Sequence, residues 1–220
     1  MNYAQLEKYL FEICDQKFAN FSKSLSNSEY ISIGVKNPVL RQIIKEHKDD
    51  VELKTEDFKL GRYLEVDFIY FGLSLVRCKT VDEQLNFLLK DIKNAKSWAI
   101  TDCATTFLEK VSFSQFEDFF MKSYSSKYTC QRRMAYVLAL KQYKEKDIVK
   151  ILKYIQFNEE YMVMMAEAWL LSVIAITNED KVFDYLKNCP DLTLKRKTIS
   201  KINESFRFSQ ISKERFKSLR

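Results

Sequence analysis

Lys96-Ser-Trp-Ala-Ile-Thr-Asp-Cys103 opens an amphipathic helix and sets the spacing that orders the rest of the chain. Trp98 and Asp102 stand four residues apart, so on a helix they share one face. Arg133 and Trp169 follow Trp98 at steps of 35 and 36 residues, each in a helix that comes after a turn and a preceding helix. A step of that size is one helical hairpin, just below the roughly 40–47 residues of HEAT and armadillo units. Residues one hairpin apart occupy equivalent places on successive units and line one concave surface. The expectation is an all-α chain of stacked hairpins with Trp98, Asp102, Arg133 and Trp169 in a row.

Composition agrees. The 220 residues include three glycines (Gly34, Gly61, Gly72) and two prolines (Pro38, Pro190), too few turn formers for a β or α/β chain of this size. Apolar residues at three- and four-residue steps predict one helix over 3–20, followed by a polar loop from Ser22 to Ser32. Asn37 is then a good N-cap, with Pro38 at the first helical position, its φ preset and no N–H left unsatisfied. From 56 to 219 helices follow at short intervals, among them 56–63, 97–111, 129–144 and 147–156. Thr80 and Ser112 read as N-caps, and Thr80 with Glu83 as a capping box. No linker or change of composition divides the chain, so one domain over 1–220 is expected.

The formal charge is +6, and it is uneven. Nine Lys/Arg and two acids lie between Lys195 and Arg220, which leaves the preceding residues near neutrality. A basic segment of this kind is a solubilising tail or a surface for a polyanion such as nucleic acid. Five widely spaced cysteines without a C-x-x-C suggest reduced thiols in an intracellular protein. The start of the chain is amphipathic helix with no secretory pattern. The most apolar run, Tyr161 to Ile176, spans sixteen residues and contains Glu167, so it suits a buried helix better than a bilayer span.

Each candidate also has a plainer account. Trp98 fits a core, and Asp102 is favoured simply by the start of a helix. Trp169 lies in the apolar segment Tyr-Met-Val-Met-Met-Ala-Glu-Ala-Trp-Leu-Leu, where packing is the default. Arg132 and Arg133 stand at a helix N-terminus, whose dipole favours anions; they are either solvated or matched by an anion, a carboxylate such as Asp102 or a phosphate.

Four stretches, in order, resemble the AlkD-like DNA alkylation repair family of alkylpurine DNA glycosylases. Gly34-Val-Lys-Asn-Pro-Val-Leu-Arg41 is similar to the family's G-[IV]-x-x-P-x-L-R segment, and Ser97-Trp-Ala-Ile-Thr-Asp102 to its W-x-x-x-D motif. Gln131-Arg-Arg-Met-Ala-Tyr-Val resembles its R-x-[AG]-[IV] helix start, with Arg133 at the arginine. Ala166-Glu-Ala-Trp-Leu-Leu resembles the helix that bears its second tryptophan. The segment Lys197 to Arg207 looks like its closing helix.

The resemblance implies HEAT-like repeats stacked into a curved α-solenoid with a concave DNA-binding face. It also implies hydrolysis of the N-glycosidic bond of positively charged N7- or N3-alkylated purines in DNA. Asp102, Trp98 and Trp169 would then be catalytic, and Arg133 and Arg132 would bind DNA. The partner would be double-stranded DNA, alkylated or distorted, met by a monomer in the cytoplasm at the bacterial nucleoid, with no membrane, metal or cofactor. Two indole faces suit a cationic base and an oxocarbenium-like sugar, at about 1 kcal/mol each. Asp102 suits the charge that develops on that sugar. A non-catalytic HEAT-like module that binds distorted or branched DNA is the alternative, and a helical scaffold for a protein partner is a third.

Other chemistries are poorly served. His47 is the sole histidine, Cys103 has no nearby histidine to activate it, and there is no Gly-rich phosphate loop.

Overall fold

The structure, a computed structural model, describes residues 1–26, 29–141, 146–155 and 160–220. It is all-α. Its contacts divide it into two compact units, Met1–Val111 and Ser112–Arg220.

The first unit begins with α1 (Tyr3–Glu12), capped by Asn2, whose Oδ1 accepts from Gln5 N at 3.0 Å while Gln5 Oε1 accepts from Asn2 N at 2.9 Å. The single helix expected over 3–20 is two. The chain breaks at Ile13, and Asp15 restarts it as α2 (Gln16–Ser26) by accepting from Lys17 N and Phe18 N at 2.9 and 3.1 Å. Asx capping at Asp15 outcompetes continuation because it satisfies two N–H groups that a new helix leaves open. α2 therefore runs through part of the stretch expected to be loop.

α3 (Asn37–His47) starts one residue earlier than expected, with Lys36 as N-cap and Asn37 inside the helix. The helix expected over 56–63 is only a 3-10 turn, Thr55–Asp57, because the chain reaches Gly61 at a φ of +85°. α4 (Leu64–Arg77) is the central helix of this unit and packs against α3 and, further on, against α5 (Val81–Asp91) and α6 (Trp98–Ala104). At its end Arg77 donates to the carbonyls of His47, Lys48, Asp50 and Leu53 at 2.8 to 3.0 Å, which ties down the turn after α3. Thr80 caps α5 as expected, but the Glu83 carboxylate reaches Lys79 N, at 2.7 Å, so the box closes one residue early.

α6 is far shorter than the helix expected over 97–111. Thr105 and Thr106 turn their hydroxyls back onto the carbonyls of Asp102 and Cys103 at 2.7 and 2.8 Å. Such bonds offer the backbone an alternative to the helical ladder. Gln84 of α5 then takes over, donating to the Leu75 and Phe107 carbonyls and accepting from Glu109 N at 3.0 Å.

The second unit holds α7 (Phe113–Ser123), α8 (Thr129–Lys141), a 3-10 segment Lys146–Tyr154, α9 (Tyr161–Ile174), α10 (Glu179–Asn188), α11 (Leu192–Glu204) and α12 (Gln210–Lys217). The ends of the helices expected over 129–144 and 147–156 lie partly outside the described residues. Ser112 and Gln115 form a capping box on α7. α9 is the central helix here, packed between α8 and α11 and buried over most of its length. Its Glu167 lies beside the buried Tyr136, whose phenol burial pushes up.

The basic C-terminal segment is folded. Asp191 caps α11 by accepting from Thr193 N and Leu194 N at 2.9 and 3.0 Å. Arg215 of α12 pairs with Glu179 and Asp180 at 3.1 and 2.6 Å and lies 4.3 Å from the Phe183 ring, while Phe216 is fully buried. Asp191→Ala is expected to cost about 1 kcal/mol of stability, typical of a lost N-cap. A denaturation midpoint unchanged from the wild type would count against that reading.

Candidate functional site

Trp98 and Asp102 share one half-buried edge of α6 in the first unit. Ser97 starts the helix, its Oγ accepting from Ala99 N at 3.2 Å. The segment before it is held by Asp67, a buried carboxylate of α4. Asp67 accepts from the Tyr30 hydroxyl at 2.5 Å and from Gly61 N at 2.9 Å; the same hydroxyl accepts from Lys96 N at 3.3 Å. Burial raises the pKa of Asp67, against the pull of its hydrogen bonds from Tyr30 and Gly61 and of the Lys96 charge.

Glu65 does the same for the Gly34–Arg41 segment. It accepts from Ser32 Oγ at 2.8 Å and from the backbone N–H groups of Ile33, Gly34 and Val35 at 2.9, 2.9 and 3.4 Å. Gly34 has a φ of +102°, and a Cβ there would lie 2.3 Å from the Asp15 carbonyl oxygen. Neither condition suits any other residue. The segment is thereby pressed against the start of α2.

These two anchors frame a cavity of about 220 Å³. Trp98 and Asp102 line one side, Phe18, Phe21 and Leu25 of α2 another, and Arg41 of α3 stands beside them. The Thr101 hydroxyl donates to the Trp98 carbonyl at 2.8 Å and lies 3.1 Å from Asp102 Oδ1. Cys103, behind it, is buried, and burial pushes its thiol far above the usual range, although Arg41 pulls the other way. It is thus no thiolate nucleophile.

The apolar wall from α2 was missed in the sequence. Phe18, Phe21 and Leu25 fall at helical steps, a stripe that was legible once Asp15 was taken as a cap. The rings of Phe18 and Phe21 lie 6.2 Å apart, and Phe21 and Leu25 are each more than half exposed.

Arg132, Arg133 and Trp169 belong to the second unit. Arg132 donates to Glu160, and to the Ser126 carbonyl at 2.8 Å; Thr129 also donates to Glu160. Burial pushes the Glu160 carboxyl up, and the hydrogen bonds from Thr129 and Arg132 with the Arg132 charge outweigh it, so its pKa is lowered. Arg133 is 5% exposed, and its Nη1 donates to the Met162 carbonyl at 2.6 Å. Both guanidinium groups expected to meet DNA are therefore occupied by protein acceptors. The anion that the helix start demanded is, for Arg132, Glu160. Trp169 is not a core residue: it is 42% exposed and lines a second cavity, of about 370 Å³, with Lys201, Glu204 and Arg207.

The sequence pattern of DNA alkylation repair enzymes matches residues 6–205. The chain belongs to the DNA alkylation repair enzyme family. Its fold is shared with a solved protein described as a predicted DNA alkylation repair enzyme from Enterococcus faecalis, at a TM-score of 0.66 and 16% identity, over 87% of this chain and 98% of that one. No curated protein matches the sequence. The all-α architecture anticipated from the Gly and Pro scarcity is thus that of the family. No helix among the described residues is long and apolar enough to cross a membrane, and no group of His, Cys, Asp and Glu among them could hold a metal ion.

Proposed function

We propose that this family member is a DNA glycosylase that hydrolyses the N-glycosidic bond of N7- or N3-alkylated purines. The observation that carries the proposal is the cavity where the Asp102 carboxylate and the Trp98 indole stand side by side on α6, with Arg41 beside them. In the reaction the bond from the sugar C1′ to the purine nitrogen breaks, and its electrons neutralise the cationic base. Water then adds at C1′ and loses its proton. Asp102 stabilises the positive charge that builds on the sugar from its place on α6. The indole offers its face to the same cation. Such a hydrolysis needs no cofactor.

In this proposal Trp169, exposed on the second unit, offers its own face to the DNA. Arg133 acts as a positioning residue, since its bond to Met162 fixes the first turn of the helix that carries Trp169. Arg132 contacts a phosphate by exchanging Glu160 for it. Base release from DNA containing N7-methylguanine or N3-methyladenine tests the reading. Folded protein that binds this DNA, yet releases no base above the spontaneous rate, would leave a binding module in place of an enzyme.

A further inference from the structure

The face that α9 and α11 present in the second unit carries more than Trp169. Tyr161, 62% exposed at the start of α9, has Lys197 Nζ 5.6 Å from its ring centroid. Two helical turns on, Trp169 shares its cavity with Lys201 and Arg207. Beyond the end of α11, Phe206 is fully exposed in a turn that the Ser205 hydroxyl closes by accepting from Arg207 N at 3.2 Å. Two aromatic plates of α9 thus each stand near a cation of α11, Tyr161 by Lys197 and Trp169 by Lys201, and Phe206 is exposed next to Arg207 in the turn that follows. Glu204 is the acid among them, and it pairs with Lys201 at 3.1 Å.

Exposed aromatic side chains are costly to hold in water without a partner, and a basic margin narrows what that partner is. Tyr161 and Trp169 are eight residues apart, about 12 Å along the helix. That is roughly three to four base steps at the rise of a stacked strand. In a duplex the face of each base is covered by its neighbours, so plates at this separation have nothing to stack on. An unpaired strand offers both base faces and phosphates, and it suits aromatic plates interleaved with cations.

We propose that this α9/α11 face binds unpaired nucleic acid, with bases stacked on Tyr161, Trp169 and Phe206 and phosphates met by Lys197, Lys201 and Arg207. The proposal rests on DNA as the partner and is independent of base release. It gives the protein a hold on the single-stranded nucleotides that a distorted or opened site exposes.

The test is fluorescence anisotropy with a short labelled oligothymidylate, measured over a range of salt and compared with a duplex of equal length. Tyr161→Ala and Phe206→Ala are each expected to weaken oligothymidylate binding by about five- to fiftyfold, with less than about a twofold change for the duplex. Lys201→Gln is expected to reduce the salt slope by about 0.7, the value for one phosphate on a single strand. Both aromatic residues are exposed, and circular dichroism confirms that the variants stay folded. Unchanged oligothymidylate affinity in both aromatic variants overturns the proposal, as does an equal loss on the duplex. So does an acidic peptide that displaces the oligothymidylate at the same concentration, which would make the face a general anion or protein surface. Base release is assayed separately. Release without oligothymidylate binding removes the platform alone, and binding without release removes the glycosylase reading alone.

Discussion

Asp102→Asn is expected to lower release of N7-methylguanine from DNA by about 10²- to 10³-fold, the scale seen when one preorganised electrostatic group is removed from a reacting centre. The substitution keeps the shape of the side chain, and an amide fits beside the Thr101 hydroxyl, which lies 3.1 Å from Oδ1. What is lost is the negative charge beside the sugar. Affinity for DNA should hardly move, because binding depends chiefly on phosphate contacts, and loss of a carboxylate lessens repulsion there. The measurement is single-turnover base release with excess enzyme, alongside a binding curve at one fixed salt concentration. Release within about threefold of the wild type would take Asp102 out of the mechanism. Equal losses of release and binding would make its role one of affinity.

The shared face of Trp98 and Asp102 was legible in eight residues of sequence, Lys96 to Cys103, and the role given to Asp102 came from the family resemblance, whereas much of what makes the cavity was not legible. Four-residue spacing is a local property, so it placed Trp98 and Asp102 on one helix face without knowledge of the fold. The exposed Trp169 was harder, since a tryptophan in an apolar segment packs by default; its exposure follows from which side of α9 meets α8 and α11. Arg133 is a different case. The charge at the start of α8 demanded an acceptor, as expected, but the acceptor is the Met162 carbonyl, which no side-chain pattern reveals. The ends of α1 and α6 were missed because Asp15, Thr105 and Thr106 capture backbone groups by short-range bonds that apolar periodicity does not register. Glu65 and Asp67 were overlooked inside Leu-Glu-Val-Asp-Phe, where acids at a helix start seem explained by the dipole alone. Their real partners lie some thirty residues back in the chain for Glu65, at Ile33 to Val35, and similarly far for Asp67, at Tyr30.

Glu65 is the residue whose loss should unsettle the fold most. Its carboxylate is 2% exposed and accepts from three backbone N–H groups and the Ser32 hydroxyl. Truncation by Glu65→Ala strands those donors, each at about 1–3 kcal/mol when buried, and opens a void next to Val35 and Leu64. Some of the donors will find water, so the expected loss is about 3–5 kcal/mol, a large fraction of the usual 5–15 kcal/mol of a folded domain. Gly34→Ala attacks the same joint from the other side. The positive φ costs on the order of 1–2 kcal/mol for a residue with a Cβ, and the 2.3 Å approach to the Asp15 carbonyl forces the start of α2 to move. Because α2 carries Phe18, Phe21 and Leu25, that shift should reshape the cavity beside Asp102 even where the protein stays folded. Urea denaturation of both variants checks the stability, and base release well below the transition checks the geometry. A Gly34→Ala protein with wild-type stability and wild-type release would mean that the segment before α3 neither needs its left-handed residue nor sets the wall of the cavity.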